Sequence, residues 1–179
     1  NNGEKVIDWM MGDHEKPLMF FKNMTHHLLG LDRSFMEDVV NVILTRDPKE
    51  MIPSFVKVIE NPTINDIGYA DHTELQNYFE ENNIPYIVLD SKLLLQNPKG
   101  VLQQFCELIG VNFDENMLKW EKGSRKEDGV WAKYWYDNIH DSIGFMEYKP
   151  KTESFPDRYK SLLYSCKTHY DQLVKKALR

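Results

Sequence analysis

The chain contains no apolar run approaching the roughly 20 residues that a membrane-spanning helix requires, and it does not open on a basic-then-apolar leader. Cysteine is scarce: Cys106 and Cys166 stand 60 positions apart among 179 residues, with no C-x-x-C pair and no zinc-ligand spacing. They read as two reduced thiols of a cytoplasmic protein, a single disulfide being the alternative. An excess of positive charge is also missing. The 22 Lys and Arg against 28 Asp and Glu leave −6, which argues against a nucleic-acid binder, whose affinity would rest on a basic face. Glycine is thin where a phosphate loop would need it. Only Gly3, Gly12 and Gly30 precede the strongest strand signal, and none lies in a strand-loop-helix setting with a following Lys and Ser or Thr. Internal repeats and low-complexity tracts are absent, and the first residue is Asn1 rather than Met. What is present describes a water-soluble globular chain: 41% hydrophobic and 28% charged residues, a mean hydropathy of −0.56, and enough length for one domain with its own core.

The rhythm along the chain is a short apolar run, a turn, then an amphipathic run. Three segments read as strands: residues 17–22, residues 39–45 and residues 85–90. The second is β-branched and nearly continuous, as strands covered on both faces tend to be. After it, Asp47 is placed to cap a helix with Pro48 at the first helical position. Met51, Ile52, Phe55, Val56 and Ile59 then recur at helical spacing, with a kink expected at Pro53. Residues 71–82 read as a polar surface helix. Asn97-Pro98 opens a further helix whose apolar face is Val101, Leu102, Phe105, Leu108 and Ile109, and Gly110 ends it. Shorter and longer helices are expected over 114–120 and 156–177. Strands alternating with helices imply an α/β domain with a parallel sheet and right-handed crossovers. Three strands are few for such a sheet, so a further strand or two is expected upstream of Asn1.

Arg46 follows the second strand, at the carboxyl edge where open α/β sheets bind ligands. The helix that starts there adds free N–H groups suited to a phosphate. Ser54 lies eight residues on, so a hydroxyl and a guanidinium can converge on one anion. The competing reading pairs Arg46 with Asp47 or Glu50 and leaves Ser54 a surface hydroxyl.

The run Ile43-Leu44-Thr45-Arg46-Asp47-Pro48-Lys49-Glu50 followed by Ser54 resembles the 3′-phosphate-binding segment of the sulfotransferase family. The stretch from Tyr86 through Asp90, Leu93-Leu94 and Asn97-Pro98 to Gly110 is similar to that family's late strand-helix unit. The likeness covers most of the chain from about residue 17, and is greatest to the sulfotransferase-like domains associated with branched-chain aminotransferase-like proteins. It implies a P-loop-type parallel sheet flanked by helices, here lacking its N-terminal strand and phosphate-binding loop. It also implies that Arg46 and Ser54 hold the 3′-phosphate of the sulfate donor, 3′-phosphoadenosine 5′-phosphosulfate.

Two further segments enter through the resemblance. Lys22 matches the lysine that steadies the departing phosphate oxygen. The family's histidine base falls two positions later, where this chain has Met24, so His26 is the nearest substitute; histidine suits the role because it titrates near neutrality. The other reading makes His26 and His27 polar residues of a short helix. Adjacent histidines diverge on a helix and no third ligand stands at sensible spacing, so no metal is expected. The loop from Lys119 to Trp131 is similar to a late family loop that closes over the 3′-phosphate. Gly129-Val130-Trp131 matches its end, while Arg125 and Lys126 stand one position out of register. Its alternative is a solvated, charge-balanced loop, since Glu121, Glu127 and Asp128 offset the cations. The aromatic residues Trp131, Tyr134, Trp135 and Tyr136 read either as an acceptor pocket or as the core of a small subdomain.

The sequence therefore predicts one partial sulfotransferase-like domain over 1–179, with an α/β core at 17–110 and a helical and loop part at 111–179. The resemblance implies sulfuryl transfer to a hydroxyl or amine of a small-molecule acceptor, with no nucleic-acid or membrane partner. Two alternatives stand beside it: a P-loop nucleotide-binding domain with another reaction, such as a kinase, and a non-catalytic binding module.

Overall fold

The computed structural model describes residues 2–126, 128–130, 132 and 136–179. Helix α1 spans Gly3–Met11, with the Asn2 side chain accepting from the Glu4 backbone N–H at 2.9 Å as its cap. Strand β1, Asn41–Thr45, leads into α2, Pro48–Phe55. The short α3, Ile64–Ile67, and the longer α4, Tyr69–Glu81, follow. Strand β2, Tyr86–Asp90, is followed by α5, Ser91–Gln96, and α6, Pro98–Ile109. After a one-turn helix α7, Asp137–His140, comes α8, Lys160–Leu173, followed by a 3-10 turn, Val174–Lys176, and the C-terminal residues.

The two strands pair in parallel, in register from Asn41 opposite Tyr86 to Thr45 opposite Asp90. The helices from α2 to α4 form the crossover between them, which gives a mixed α/β architecture. On the outer edge of β2 the C-terminal segment adds a bridge, and the Leu178 N–H donates to the Val88 carbonyl at 3.1 Å. Two apolar clusters hold the layers together. Ile43 and Val88 of the sheet pack with Phe79 of α4 and Leu173 of α8. Ile52 of α2 packs with Tyr69, Tyr159, Cys166 and Tyr170. At the end of α6, Gly110 adopts φ +74°, a left-handed cap that favours glycine, and the Val111 N–H donates to the Cys106 carbonyl at 2.9 Å.

Several expectations need correction. Residues 17–22 are not a strand: Leu18 is 60% and Phe20 79% exposed, and no ladder partner exists among the described residues. A strand persists only where its backbone groups find partners. Phe21 packs instead against Trp9 of α1, edge to face at 5.3 Å. The second strand is not covered on both faces, because Leu44 is 57% exposed while Ile43 and Thr45 are buried. Helix α2 carries Pro53 in its last turn and stops at Phe55, and turns rather than helix carry the chain to Ile59. The expected helix over 114–120 is a 3-10 turn, Glu115–Leu118. Both cysteines are buried and free, and burial pushes the Cys166 thiol up to about 11. Trp131, Tyr134 and Trp135 lie outside the described residues; Tyr136 is half-buried, its ring 6.0 Å from that of His140.

Candidate functional site

Strand β1 ends at Thr45 and delivers Arg46 to the start of α2. The buried Tyr69 hydroxyl donates to the Arg46 carbonyl at 2.5 Å and pins the backbone there, and burial raises the Tyr69 pKa far above its usual range. The Asp47 carboxylate caps α2 by accepting from the Lys49 N–H at 2.8 Å. The Arg46 side chain is left 45% exposed. Arg46, Glu50 and Ser54 then follow one another at four-residue spacing, so Glu50 and Ser54 share one face of α2.

A second segment, residues 148–156, crosses this face. The Lys151 ammonium donates to the Ser54 Oγ at 2.9 Å and to the Glu50 carbonyl at 2.9 Å. The Tyr148 hydroxyl donates to Glu50 Oε1, and the Lys92 ammonium lies 5.4 Å from the centre of the Tyr148 ring. A cleft of about 360 Å³ opens between α2 and this segment, with Asp47, Lys57, Lys151 and Ser154 among its walls. Arg46 and Ser54 are not in its lining, but Lys151 joins Ser54 to it through their hydrogen bond. The Lys151 pKa is lowered, first by burial and then by the positive charge of Arg46, with Lys57 adding to it. Cations that crowd one another in this way gain from an intervening anion. Arg46 approaches Glu50 Oε2 only to 3.9 Å, so the alternative pairing read from the sequence is present as a long contact.

Lys22 and His26 lie apart from this group. Lys22 is exposed in an irregular segment. His26 is exposed in a 3-10 turn, Thr25–Leu28, with its ring 4.6 Å from that of His27. The Thr25 hydroxyl ties that turn to α4 by donating to Asp71 at 2.9 Å. Arg125, Lys126 and Gly129 belong to a loop held by Asp128. Its carboxylate accepts from the Arg125 N–H at 2.8 Å and is hydrogen-bonded to His140 at 2.8 Å, and the Arg125 contact contributes most to lowering its pKa. None of these five residues lines the cleft. Among the described residues no group of three or more His, Cys, Asp or Glu is placed to hold a metal, and no helix is long and apolar enough to cross a membrane.

Tyr148 and Lys151 escape sequence reasoning. They stand 98 and 97 residues from their partners Glu50 and Ser54, and nothing in the local pattern of residues 148–151 marks them.

The comparisons with known proteins agree with the mixed α/β architecture. The sulfotransferase-domain family model matches residues 5–177. Branched-chain-amino-acid aminotransferase-like protein 2 of Arabidopsis thaliana is 32% identical over 174 residues, which covers 96% of this chain and 31% of the relative. Branched-chain-amino-acid aminotransferase-like protein 1 of the same plant is 33% identical over 164 residues, covering 90% of this chain and 29% of the relative. The chain thus spans less than a third of the length of the curated relatives it matches. No solved structure matches it. With the family model matched over almost its whole length, the chain belongs to the sulfotransferase domain family.

Proposed function

We propose that this domain transfers a sulfuryl group from 3′-phosphoadenosine 5′-phosphosulfate to a hydroxyl or amine of a small-molecule acceptor, in the cytoplasm. Arg46 and Ser54 bind the donor's 3′-phosphate, and Lys151 supplies a second cation. The observation that carries this reading is the meeting of Lys151 with Ser54 on the face of α2 that also carries Glu50, with Arg46 two residues before the helix. A guanidinium, an ammonium and a hydroxyl together suit a phosphate dianion. Lys22 stabilises the departing phosphate oxygen, and His26 takes the proton from the acceptor. The loop carrying Arg125, Lys126 and Gly129 acts as a basic lid. Residues 17–110 form the nucleotide-binding core, and residues 111–179 bring the lid and Lys151 to it. Catalysis then rests on positioning and charge neutralisation, as in phosphoryl transfer, and no metal is invoked.

The test is a thermal-shift titration of the intact protein with 3′,5′-adenosine diphosphate against 5′-AMP. A ligand at a hundred times its dissociation constant stabilises the folded state by about 2.7 kcal/mol. Stabilisation by the 3′-phosphorylated nucleotide alone is the expected result. An equal response to both nucleotides favours a generic nucleotide site, and no response to either overturns the reading.

A further inference from the structure

Two carboxylates, Asp47 and Glu50, follow Arg46 within four residues, and both are engaged elsewhere. Asp47 spends its Oδ1 on the Lys49 N–H at the start of α2. Glu50 stands four residues on, within reach of an ion pair although Arg46 itself precedes α2. Here the nearest approach is 3.9 Å, from Nε alone, longer than a hydrogen bond. The Tyr148 hydroxyl donates to the other carboxylate oxygen, Oε1. Tyr148 is itself steadied by Lys92 over its ring at 5.4 Å. Lys151 also takes the Glu50 carbonyl rather than its carboxylate, so neither Lys151 nor Arg46 is neutralised at close range by Glu50. The Glu50 side chain is only 13% exposed, which leaves it few places to go other than the hydroxyl or the guanidinium.

We propose that Tyr148 is a positioning residue that draws the Glu50 carboxylate off Arg46 and keeps the guanidinium free for an incoming phosphate. The proposal rests on the 3′-phosphate reading of that site. The hydrogen bond to Glu50 also pushes the Tyr148 phenol up to about 12, so it remains a donor throughout the physiological range. Without the hydroxyl, Glu50 relaxes onto Arg46, and the nucleotide must displace it before binding.

The experiment compares wild type, Tyr148→Phe, Glu50→Gln and the double variant by calorimetric titration of the intact protein with 3′,5′-adenosine diphosphate and with 5′-AMP. Tyr148→Phe is expected to weaken binding of the 3′-phosphorylated nucleotide about twofold, the size of one i,i+4 ion pair that the ligand must now break. Its affinity for 5′-AMP stays the same. Adding Glu50→Gln removes the competing charge and returns the affinity to that of wild type, a rescue that loss of packing alone would not give. Glu50→Gln by itself binds at least as tightly as wild type, and a loss there overturns the proposal independently of how well the Tyr148 variant folds. Wild type that discriminates between the nucleotides while Tyr148→Phe matches it sinks the positioning role and leaves the donor reading intact. Wild type that fails to discriminate overturns both.

Discussion

Removing the hydroxyl of Tyr170 is expected to destabilise the fold by about 2–4 kcal/mol, because it strips a buried carboxylate of one of its two protein partners. Asp90 ends β2 and is 0% exposed. Its Oδ1 accepts from the Leu93 N–H at 2.9 Å at the start of α5, and its Oδ2 accepts from the Tyr170 hydroxyl of α8 at 3.0 Å. Burial, then the Asp90 charge, raises the Tyr170 pKa far above its usual range, so the phenol stays a donor. Tyr170→Phe keeps the ring and its packing and leaves Oδ2 without a donor in a site water does not reach. A hydrogen bond to a charged group is worth about 1.5–3 kcal/mol, and the desolvation left uncompensated adds to it. For a domain of this size the melting midpoint falls roughly 2–4 °C per kcal/mol. Urea unfolding at pH 7, followed by circular dichroism, measures the effect directly. In an Asp90→Asn background the same substitution removes only a neutral hydrogen bond, and its effect should drop to about 1 kcal/mol or less. A Tyr170→Phe protein within about 0.5 kcal/mol of wild type, the range of an ordinary surface change, refutes the account of Asp90 as a buried, charge-bearing anchor.

Arg46→Ala should abolish the preference for 3′,5′-adenosine diphosphate over 5′-AMP, and Lys151→Ala should reduce it; competitive titration reads both, and unchanged selectivity in either removes that residue from the site. Ile52 is fully buried among Tyr69, Tyr159, Cys166 and Tyr170, so Ile52→Ala should lower the unfolding free energy by about 2–5 kcal/mol through loss of apolar contact and the cavity left behind. Glu80 accepts from Lys176, Tyr86 and Gln76, which hold its carboxyl down from 4.5 to about 2. Its folded pKa is depressed, so the stability it contributes is complete above pH 4.5 and is lost as the pH falls toward 2. Urea midpoints of wild type and Glu80→Gln should therefore differ near pH 6 and draw together as the pH falls from 4.5 to about 2; a constant difference across that range would count against the linkage.

How far each part was legible follows from the range over which its cause acts. The start of α2 was readable because Asp47 and Pro48 act within one turn, and the end of α6 because Gly110 supplies a local left-handed cap. Strands β1 and β2 were readable from their runs of β-branched and apolar residues. The segment 17–22 has the same apolar character and failed, since a run of apolar residues names a tendency and only a pairing partner makes a strand. Helix α1 went unread although Asn2 caps it and Val6, Trp9 and Met10 recur at helical spacing. Of the basic group, Arg46 and Ser54 were legible from their eight-residue spacing and family likeness. Where Glu50 would point was left undecided between two readings.

The sequence by itself determined the family, the strands β1 and β2, the start of α2 at Asp47-Pro48 and the eight-residue spacing of Arg46 and Ser54, because periodicity and capping are settled by neighbours a few residues apart. Tertiary structure alone decided that Tyr148 and Lys151 cross α2, with Lys151 on Ser54 and Tyr148 on Glu50. Those contacts join residues nearly a hundred positions apart, and such contacts form only when both apolar clusters have closed and brought the two stretches of chain together.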